Sequence, residues 1–336
     1  MSRPLLITMG DACGIGPEVA VGAWAADRGA DLRLVGDVEV FRRAVEMLGL
    51  ALPVALLDTP TDEPPPDCLP VWQPSGLPDG LLRQPLGQIS AVAGAAAARC
   101  IEAAVAEQQA GRSSALVTAP IHKEALHAAG VSYPGHTEML QALCADAQGQ
   151  LPPVRMMLAN DQLRVVLVTI HVALRQAVDL ITAGRVLQTL RITDAALKRS
   201  GIASPRIAVA GLNPHAGEGG LFGDEEIQHI APAVEQARSL GIHASGPFAP
   251  DTIFMRARHA PPAHPGEFDA VVAMTHDQGL IPVKYLGVED GVNVTLGLPL
   301  VRTSPDHGTA FDIAGTGRAD PSSMRAAIRM ARQLSG

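Results

Sequence analysis

The sequence predicts a two-lobed α/β fold with mainly parallel sheets, on three observations. At 336 residues, the chain is longer than one ordinary hydrophobic core, so two domains are expected. Hydrophobic residues make up 47% of the chain and aromatic residues only 3%, which indicates a large core built from Ala, Val, Leu and Ile. Short apolar runs alternate with helix-like segments, as they do in βαβ units.

The first part of the chain shows this alternation. Thr59–Gly80 is rich in Pro and is expected to form an irregular surface connection. The Ala-rich segment Ser90–Gln109 predicts a helix. Apolar runs predict strands at Leu5–Met9, Leu32–Val35, Val54–Leu57 and Ala115–Thr118.

The rest of the chain continues the pattern without an internal repeat. Apolar runs predict strands at Val154–Leu158, Val165–Thr169, Ile207–Ala210 and Ala270–Met274. Helices are predicted at Ala183–Lys198, Asp224–Leu240 and Pro321–Gln333. The last of these has Pro at an early position, which helices tolerate.

The bulk composition argues against several classes of protein. The net charge of −8 and a pI near 5.7 disfavour nucleic-acid binding, which requires a basic face. No apolar run reaches the roughly 18 residues of a membrane span, and the N-terminus lacks the features of a signal peptide. The cysteines are far apart, with no CxxC pair, and predict no disulfide framework: Cys13, Cys68, Cys100 and Cys144. A cytoplasmic protein is expected.

Three histidines follow three apolar runs. His171 comes after VVLVTI, His215 after IAVAGLNP and His276 after VVAMT. The carboxyl ends of parallel strands meet at one edge of a sheet, so these side chains are expected to converge. Three imidazoles suit Zn²⁺ or another divalent transition metal. Their spacing matches no local metal motif, and a lone loop histidine usually makes only one hydrogen bond; the repeated placement favours a metal site.

A second group of polar residues suits a small anion. Asn293 lies within the apolar alternation GVNVTLGLPL, and Arg302 is expected to end that same strand, where it offers a bidentate fork. Lys284 adds a positive charge. His136 and Thr137 are expected to open a helix, whose N-terminus attracts anions. The alternatives are that the charged groups are ordinary surface residues and that Thr137 is only an N-cap.

Two glycine-rich segments lie beside these groups. GDACGIGPEV contains Gly14 and Gly16 but lacks the third glycine of GxGxxG, so it is weak support for a Rossmann fold. Within it, Asp11 and Glu18 either touch substrate or only shape a strand–helix turn. NPHAGEGG, which carries His215, is expected to let the backbone approach a ligand closely.

Together these motifs resemble the 4-hydroxythreonine-4-phosphate dehydrogenase family of vitamin B6 biosynthesis. The matching blocks are GDACGIGPEV, TAPIHKEAL, GHTE, VTIHVAL, GLNPHAGEGGLFG, GPFAPDT, AMTHDQGLIPVK and GVNVTLGLPLVRTSPDHGTAFDIAGTGRADP, and they span nearly the whole chain. The last block also resembles HGSAPDIAG of the isocitrate and isopropylmalate dehydrogenases. The resemblance implies their two-lobed α/β/α fold.

The resemblance also implies an activity: metal-dependent, NAD-linked oxidation of a secondary hydroxyl, followed by decarboxylation of the β-keto acid. The expected metal is Zn²⁺, with Mg²⁺ or Co²⁺ as alternatives. The residues that match the family's metal ligands are His171, His215 and His276. Those that match its substrate-binding positions are His136, Thr137, Lys284, Asn293 and Arg302.

For the cofactor, His307 and Asp312 fall where the related dehydrogenases hold the adenosine half of NAD. The carboxylate of Asp312 would bind ribose hydroxyls and repel a 2′-phosphate, which favours NAD over NADP. Either Asp277 or Lys284 is expected to take the hydroxyl proton.

The resemblance further implies a homodimer whose metal and substrate sites draw residues from both subunits. The expected lobes are residues 1–128 with 300–336 on the cofactor side, and 129–299 for metal, substrate and dimerisation.

Departures from the family pattern leave the substrate open. Ala12 and Cys13 stand where the family usually has GDPAG, Thr275 replaces Tyr, and Ala173 stands where Pro is common. The GHTE block and the anion-binding set favour a phosphorylated substrate, with 4-phosphohydroxy-L-threonine expected first. The alternatives are 4-phosphorylated threonate or erythronate, and the cis-dihydrodiol of terephthalate.

Overall fold

The chain folds into two compact units in the computed structural model, which describes residues 3–29, 31–133, 135–287 and 289–335. The first unit contains the chain up to Pro153 together with Leu298–Ser335, and the second contains Val154–Gly297. Both are built from strands and helices, which confirms the predicted α/β class. Among the described residues, no helix is long and apolar enough to cross a bilayer.

The strands are short. In chain order they are β1 Leu5–Thr8, β2 Leu32–Val35, β3 Val54–Leu57, β4 Leu69–Trp72, β5 Ala115–Thr118, β6 Arg155–Ala159, β7 Arg164–Leu167, β8 Ile207–Ala210, β9 Ala244–Phe248, β10 His259–Ala260, β11 His264–Pro265, β12 Ala270–Ala273, β13 Val292–Leu296 and β14 Arg302–Pro305.

The helices vary from one turn to five. They are α1 Gly16–Asp27, α2 Val38–Met47, α3 Ala91–Gln109, α4 Lys123–Ala128, α5 His136–Leu143, α6 Leu174–Asp179, α7 Ala183–Arg199, α8 Ala231–Ser239, α9 Ile253–Ala257, α10 His276–Tyr285 and α11 Ser322–Ser335. Short 3₁₀ segments occupy Leu81–Arg83 and Pro214–Gly220, and a π-helical turn, Glu226–Ile230, leads directly into α8.

In the first unit the described strands form a parallel sheet in the order β3-β4-β2-β1-β5-β14. Strands β1, β2, β5 and β14 are fully buried, as expected for a parallel sheet covered on both faces. Side-chain caps start two of the helices: Asp37 accepts two backbone N–H bonds of α2, and Ser90 accepts one of α3. All carboxyl ends of this sheet lie at one edge.

One prediction about this unit is wrong. Thr59–Gly80 is not wholly irregular, because β4 lies within it, largely buried between β2 and β3. The high Pro content of the segment hides a four-residue strand. The boundaries between the units fall at 153/154 and 297/298, against the expected 128/129 and 299/300. The difference at the first boundary arises because α5 packs against α3 of the first unit.

In the second unit the strand order is β13-β6-β7-β12-β8-β9. Strand β6 is antiparallel to both β13 and β7, whereas β7, β12, β8 and β9 pair in parallel. It follows that β13 runs in the same direction as β7. The core of this unit is aliphatic and includes Leu158, Val165, Leu167, Val271 and Leu280.

The expected continuous strand from Asn293 to Arg302 is also wrong. Strand β13 ends at Leu296, and Arg302 begins β14, which belongs to the first unit. Pro299 lies between them and has no backbone N–H to donate to a ladder. The two residues therefore lie in different strands, Asn293 in the second unit and Arg302 in the first.

Candidate active site

The carboxyl edge of the second unit carries all three predicted metal ligands. His171 lies four residues after β7, His215 five residues after β8, and His276 opens α10 three residues after β12. This confirms their placement beyond strand ends. The rings of His171 and His276 lie with centroids 5.5 Å apart, so the fold does bring these two histidines together.

The orientation of His276 is set by its neighbour in the chain. Its Nδ1 lies 2.7 Å from Oδ1 of Asp277, which leaves Nε2 as the nitrogen available to a ligand. Gln278, on the next position of α10, accepts the Met274 N–H and donates to the Gly211 carbonyl, both at 2.7 Å. Gln278 thus ties the end of β12 to the loop after β8. The sequence analysis did not single out Gln278.

His215 is not part of this pair. Its ring packs near Phe222, with centroids 6.2 Å apart, and its backbone is left-handed, with φ of 54°. Within the part of the chain that the structure describes, no three His, Cys, Asp or Glu side chains are grouped as a metal site. One chain therefore assembles two of the three predicted ligands.

Lys284 and Asn293 lie at the opposite edge of the same unit. Helix α10 begins at His276, and Lys284 follows eight residues later, about 12 Å along the axis. This end of α10 lies beside the β6–β7 turn, where Asn160 Nδ2 donates to the Val283 carbonyl at 3.2 Å. Asn293 is half-buried in β13 and aligns with Leu158 of β6, which in turn aligns with Val165 of β7. Both residues are therefore close to the start of β7, not its end.

The first unit contains a buried cation next to a helix N-terminus. Arg302 is 3% exposed, and its Nε and Nη2 donate to Thr118 Oγ1 at 3.1 and 2.7 Å. Burial lowers the pKa of Arg302 to about 10, so it remains charged at neutral pH. His136 opens α5 after Gly135, the N-cap. Thr137 is thus inside the helix, and its alternative role as an N-cap is wrong.

His136 is neutral in this environment. Burial, and then the positive charge of Arg302, hold the pKa of His136 well below 6.5. Its Nε2 is sealed from solvent without a hydrogen-bond partner among the described residues. A neutral imidazole, the N–H groups of a helix start and a guanidinium are each suited to a small anion.

The loop GDACGIGPEV organises its surroundings. Asp11 Oδ1 accepts the Cys13 N–H at 2.8 Å, and burial raises the pKa of Asp11. Burial and the Asp11 charge raise the pKa of Cys13 to about 11, so this fully buried side chain is a neutral thiol. These contacts agree with the turn-shaping alternative for Asp11. Ala12 and Cys13 are both sealed from solvent.

Glu18 has a similar structural role further along that loop. Its two carboxylate oxygens accept the N–H groups of Gly315 and Gly317 at 2.5 and 3.1 Å, which fixes the segment that carries Asp312. Asp312 itself is exposed. His307 Nδ1 lies 3.0 Å from the Gly308 carbonyl, just past β14. The two predicted cofactor residues thus lie in one chain segment beyond a strand end.

Comparison with known proteins identifies the family of this chain. The family described as "Pyridoxal phosphate biosynthetic protein PdxA" matches residues 29–331, which is most of the chain. The chain belongs to this family. Its relatives are named as dehydrogenases, so the protein is an enzyme, an oxidoreductase acting on a CH–OH group.

Two named relatives and one crystal structure are similar to this chain. A protein of Beijerinckia indica named "4-hydroxythreonine-4-phosphate dehydrogenase" is 48% identical, over 99% of this chain and 96% of its own length. A protein of Cupriavidus necator named "D-threonate 4-phosphate dehydrogenase" is also 48% identical, over 98% of this chain and 95% of its own. The crystal structure of 4-hydroxythreonine-4-phosphate dehydrogenase from Klebsiella pneumoniae superposes with a TM-score of 0.88 at 42% identity, with both chains fully covered.

Proposed function

We propose that this enzyme is an NAD-dependent, divalent-metal-dependent dehydrogenase that converts 4-phosphohydroxy-L-threonine to 3-amino-2-oxopropyl phosphate in pyridoxal phosphate biosynthesis. The observation that carries the choice of a phosphorylated substrate is Arg302, a buried guanidinium beside the N-terminus of α5. Its pKa of about 10 keeps this guanidinium charged at neutral pH, and a guanidinium matches phosphate geometry. His136, Thr137, Lys284 and Asn293 are proposed as the other substrate-binding residues.

The proposed reaction balances in two steps. The C3 hydroxyl gives up its proton to a base of the enzyme, and its carbon gives up a hydride, which NAD⁺ accepts. The product is a ketone β to the C1 carboxylate. The C1–C2 bond then breaks, CO₂ leaves, and the electron pair forms an enolate that takes a proton at C2. The phosphate is unchanged throughout.

His171, His215 and His276 are proposed to hold the divalent cation. Within one chain, His171 and His276 fit this role because their rings are adjacent. Asp277 fixes the orientation of the His276 ring. A bound divalent cation would act as a Lewis acid on the substrate oxygen. Zn²⁺ is proposed first because imidazole nitrogen is among its preferred ligands, with Mg²⁺ or Co²⁺ as alternatives.

The proton acceptor is proposed to be Lys284 and not Asp277. Asp277 is engaged in orienting His276. Lys284 lies at the far end of α10 from the His276 of its own chain, so the Lys284 that reaches a substrate held at those histidines would come from a second chain. This supports the expected homodimer, with sites that draw residues from both subunits.

The cofactor is proposed to bind at His307 and Asp312. The exposed carboxylate of Asp312, on a segment held by Glu18, fits a partner for ribose hydroxyls. The cytoplasmic location expected from the sequence remains a prediction.

D-threonate 4-phosphate is the second candidate substrate. The specific observation is that relatives with either name are 48% identical to this chain. The two substrates differ at C2, which carries an amino group in one and a hydroxyl in the other. The cis-dihydrodiol of terephthalate lacks a phosphate for Arg302 and is the weaker alternative.

Substrate profiling tests the proposal. Zn²⁺-loaded enzyme is incubated with NAD⁺ and, in turn, 4-phosphohydroxy-L-threonine, D-threonate 4-phosphate, erythronate 4-phosphate and the dihydrodiol, and NADH formation is followed by absorbance. The highest kcat/KM is expected with 4-phosphohydroxy-L-threonine, and a chelator should abolish it. A higher value with D-threonate 4-phosphate would transfer the assignment to the second candidate. Turnover of the dihydrodiol alone would contradict the phosphate site.

A further inference from the structure

The loop that carries His215 has an unfavourable backbone. His215, Ala216 and Glu218 have φ of 54°, 54° and 44°, which is the left-handed region that side chains with a Cβ rarely adopt. Such a run persists only when surrounding contacts over-determine it. Contacts with a neighbouring acidic side chain fix the loop from Gly211 to Gly217, named here the His215 loop.

The strongest contacts come from Glu226, which is 2% exposed. Its Oε1 accepts the backbone N–H groups of Leu212 and Asn213, both at 2.7 Å. Its Oε2 accepts a bond from Asn213 Nδ2 at 2.9 Å. One buried carboxylate therefore receives three N–H donors from the start of the loop, and hydrogen bonds to an ionised acceptor are the short, strong kind.

The loop closes tightly on this carboxylate. A Cβ added at Gly211 would lie 3.0 Å from Oε1 of Glu226, and one added at Gly217 would lie 2.9 Å from Oε2. Both ends of the loop thus touch the same side chain. Glu226 is also the first residue of the π-helical turn, a feature that recurs at functional sites.

We infer that Glu226 is the positioning residue for His215: its carboxylate holds the His215 loop in the left-handed conformation that presents the imidazole at the carboxyl edge of the sheet. The consequence for metal binding rests on the proposed function, whereas the hold on the loop does not. A carboxylate suits the role because it only accepts hydrogen bonds. The amide of glutamine would place its NH₂ donor against either the backbone N–H groups of Leu212 and Asn213 or the side-chain N–H of Asn213, and those hydrogen bonds would be lost.

Glu225 provides a matched control. It is the adjacent residue and of the same type, and its side chain accepts one bond from the His215 loop, from Asn213 Nδ2 at 2.7 Å. Glu226→Gln and Glu225→Gln therefore make the same chemical change one residue apart. The first alters three hydrogen bonds to the loop and the second alters one.

The experiment measures Zn²⁺ affinity by competition with a chromophoric chelator, NAD⁺ affinity, and hydrogen exchange of the Leu212 and Asn213 amides. In the full-length protein, Glu226→Gln is expected to weaken Zn²⁺ binding roughly 10- to 100-fold and to accelerate exchange at both amides. NAD⁺ affinity should be unchanged, and Glu225→Gln should behave like wild type. In a His215→Ala background, Glu226→Gln should weaken Zn²⁺ binding no further.

The outcomes separate this inference from the proposed function. If His215→Ala weakens Zn²⁺ binding but Glu226→Gln does not, the positioning role is wrong. If His215→Ala itself binds Zn²⁺ like wild type, the ligand assignment fails, and unchanged amide exchange in Glu226→Gln would then overturn the hold on the loop as well. Should Glu226→Gln not fold, Glu226→Asp, which keeps the charge but retracts it, takes its place with the same expectations.

Discussion

Burial decides which side chains of the first unit carry charge. Arg302 keeps its charge because even a pKa lowered to about 10 is well above neutrality. Cys13 and His136 are neutral for the opposite reason, since burial raises the pKa of the thiol and lowers that of the imidazole. Of these three side chains, Arg302 carries the positive charge and His136 contributes hydrogen bonding.

The neutral state of His136 predicts a pH dependence of stability. Its pKa in the folded protein is well below 6.5, so below pH 6.5 the unfolded chain binds a proton that the folded chain does not. Stability is thus lost as the pH falls through 6.5. As the pH is lowered from 7 to 5, His136→Asn should therefore lose less unfolding free energy than wild type, with a difference of up to about 2 kcal/mol, the limit for an imidazole that binds a proton only in the unfolded chain. Denaturant titrations at both pH values measure this.

The control for that experiment is His127→Asn on α4, an exposed position. In His127→Asn, the change in unfolding free energy between pH 7 and pH 5 should be the same as in wild type. Parallel pH profiles for wild type and His136→Asn would contradict a His136 that is neutral in the folded protein.

At the scale of elements, helix α10 connects the site to the core. Its first residue is His276, and a Cβ added at Gly279 would lie 2.4 Å from Leu167 Cδ2 and 2.8 Å from Val165 Cγ1. The glycine lets the helix pack directly on β7, the strand that leads to His171. This packing fixes the separation of the two neighbouring histidines.

Gly279→Ala should therefore destabilise the protein by about 1–3 kcal/mol through overpacking and weaken Zn²⁺ binding by displacing His276. Gly184→Ala in α7 is the matched control, because a Cβ there meets nothing within 4 Å; it should stabilise by up to about 1 kcal/mol. Thermal unfolding and chelator competition measure both effects. Equal melting temperatures for the two variants would contradict the close packing of α10.

Elements with a strong local signal were predictable, and those defined by distant partners were not. The Ala-rich α3 and the buried parallel strands follow from composition and apolar runs. Strand β4 did not, because Pro70 and its neighbours form a strand only through pairing with β2 and β3. The division between Asn293 and Arg302 likewise depends on which strand each residue pairs with, β6 for Asn293 and β5 for Arg302. Nothing local to Glu226 or Gln278 reveals the backbone groups that they bind.

At the scale of the whole molecule, the same limit applies to the candidate site. Chain order placed His171, His215 and His276 correctly after strands, since that depends on short apolar runs alone. It gave no sign that α10 carries His276 and Lys284 to opposite edges of the second unit. We therefore propose that the Lys284 acting at one substrate comes from a second copy of the chain, and this makes the dimer testable through activity.

Mixing two inactive variants provides that test. His276→Ala should lose metal binding, and Lys284→Met should lose proton transfer, so each homodimer should be inactive. When the two are co-expressed with different tags, half of the dimers are expected to be heterodimers, and one of the two sites in each carries both intact residues. Because of the two-fold symmetry, activity should return to about a quarter of wild type. The double variant His276→Ala/Lys284→Met mixed with itself should stay inactive. No recovery in purified heterodimers would mean that both residues act within a single chain, and that the site is not shared in this way.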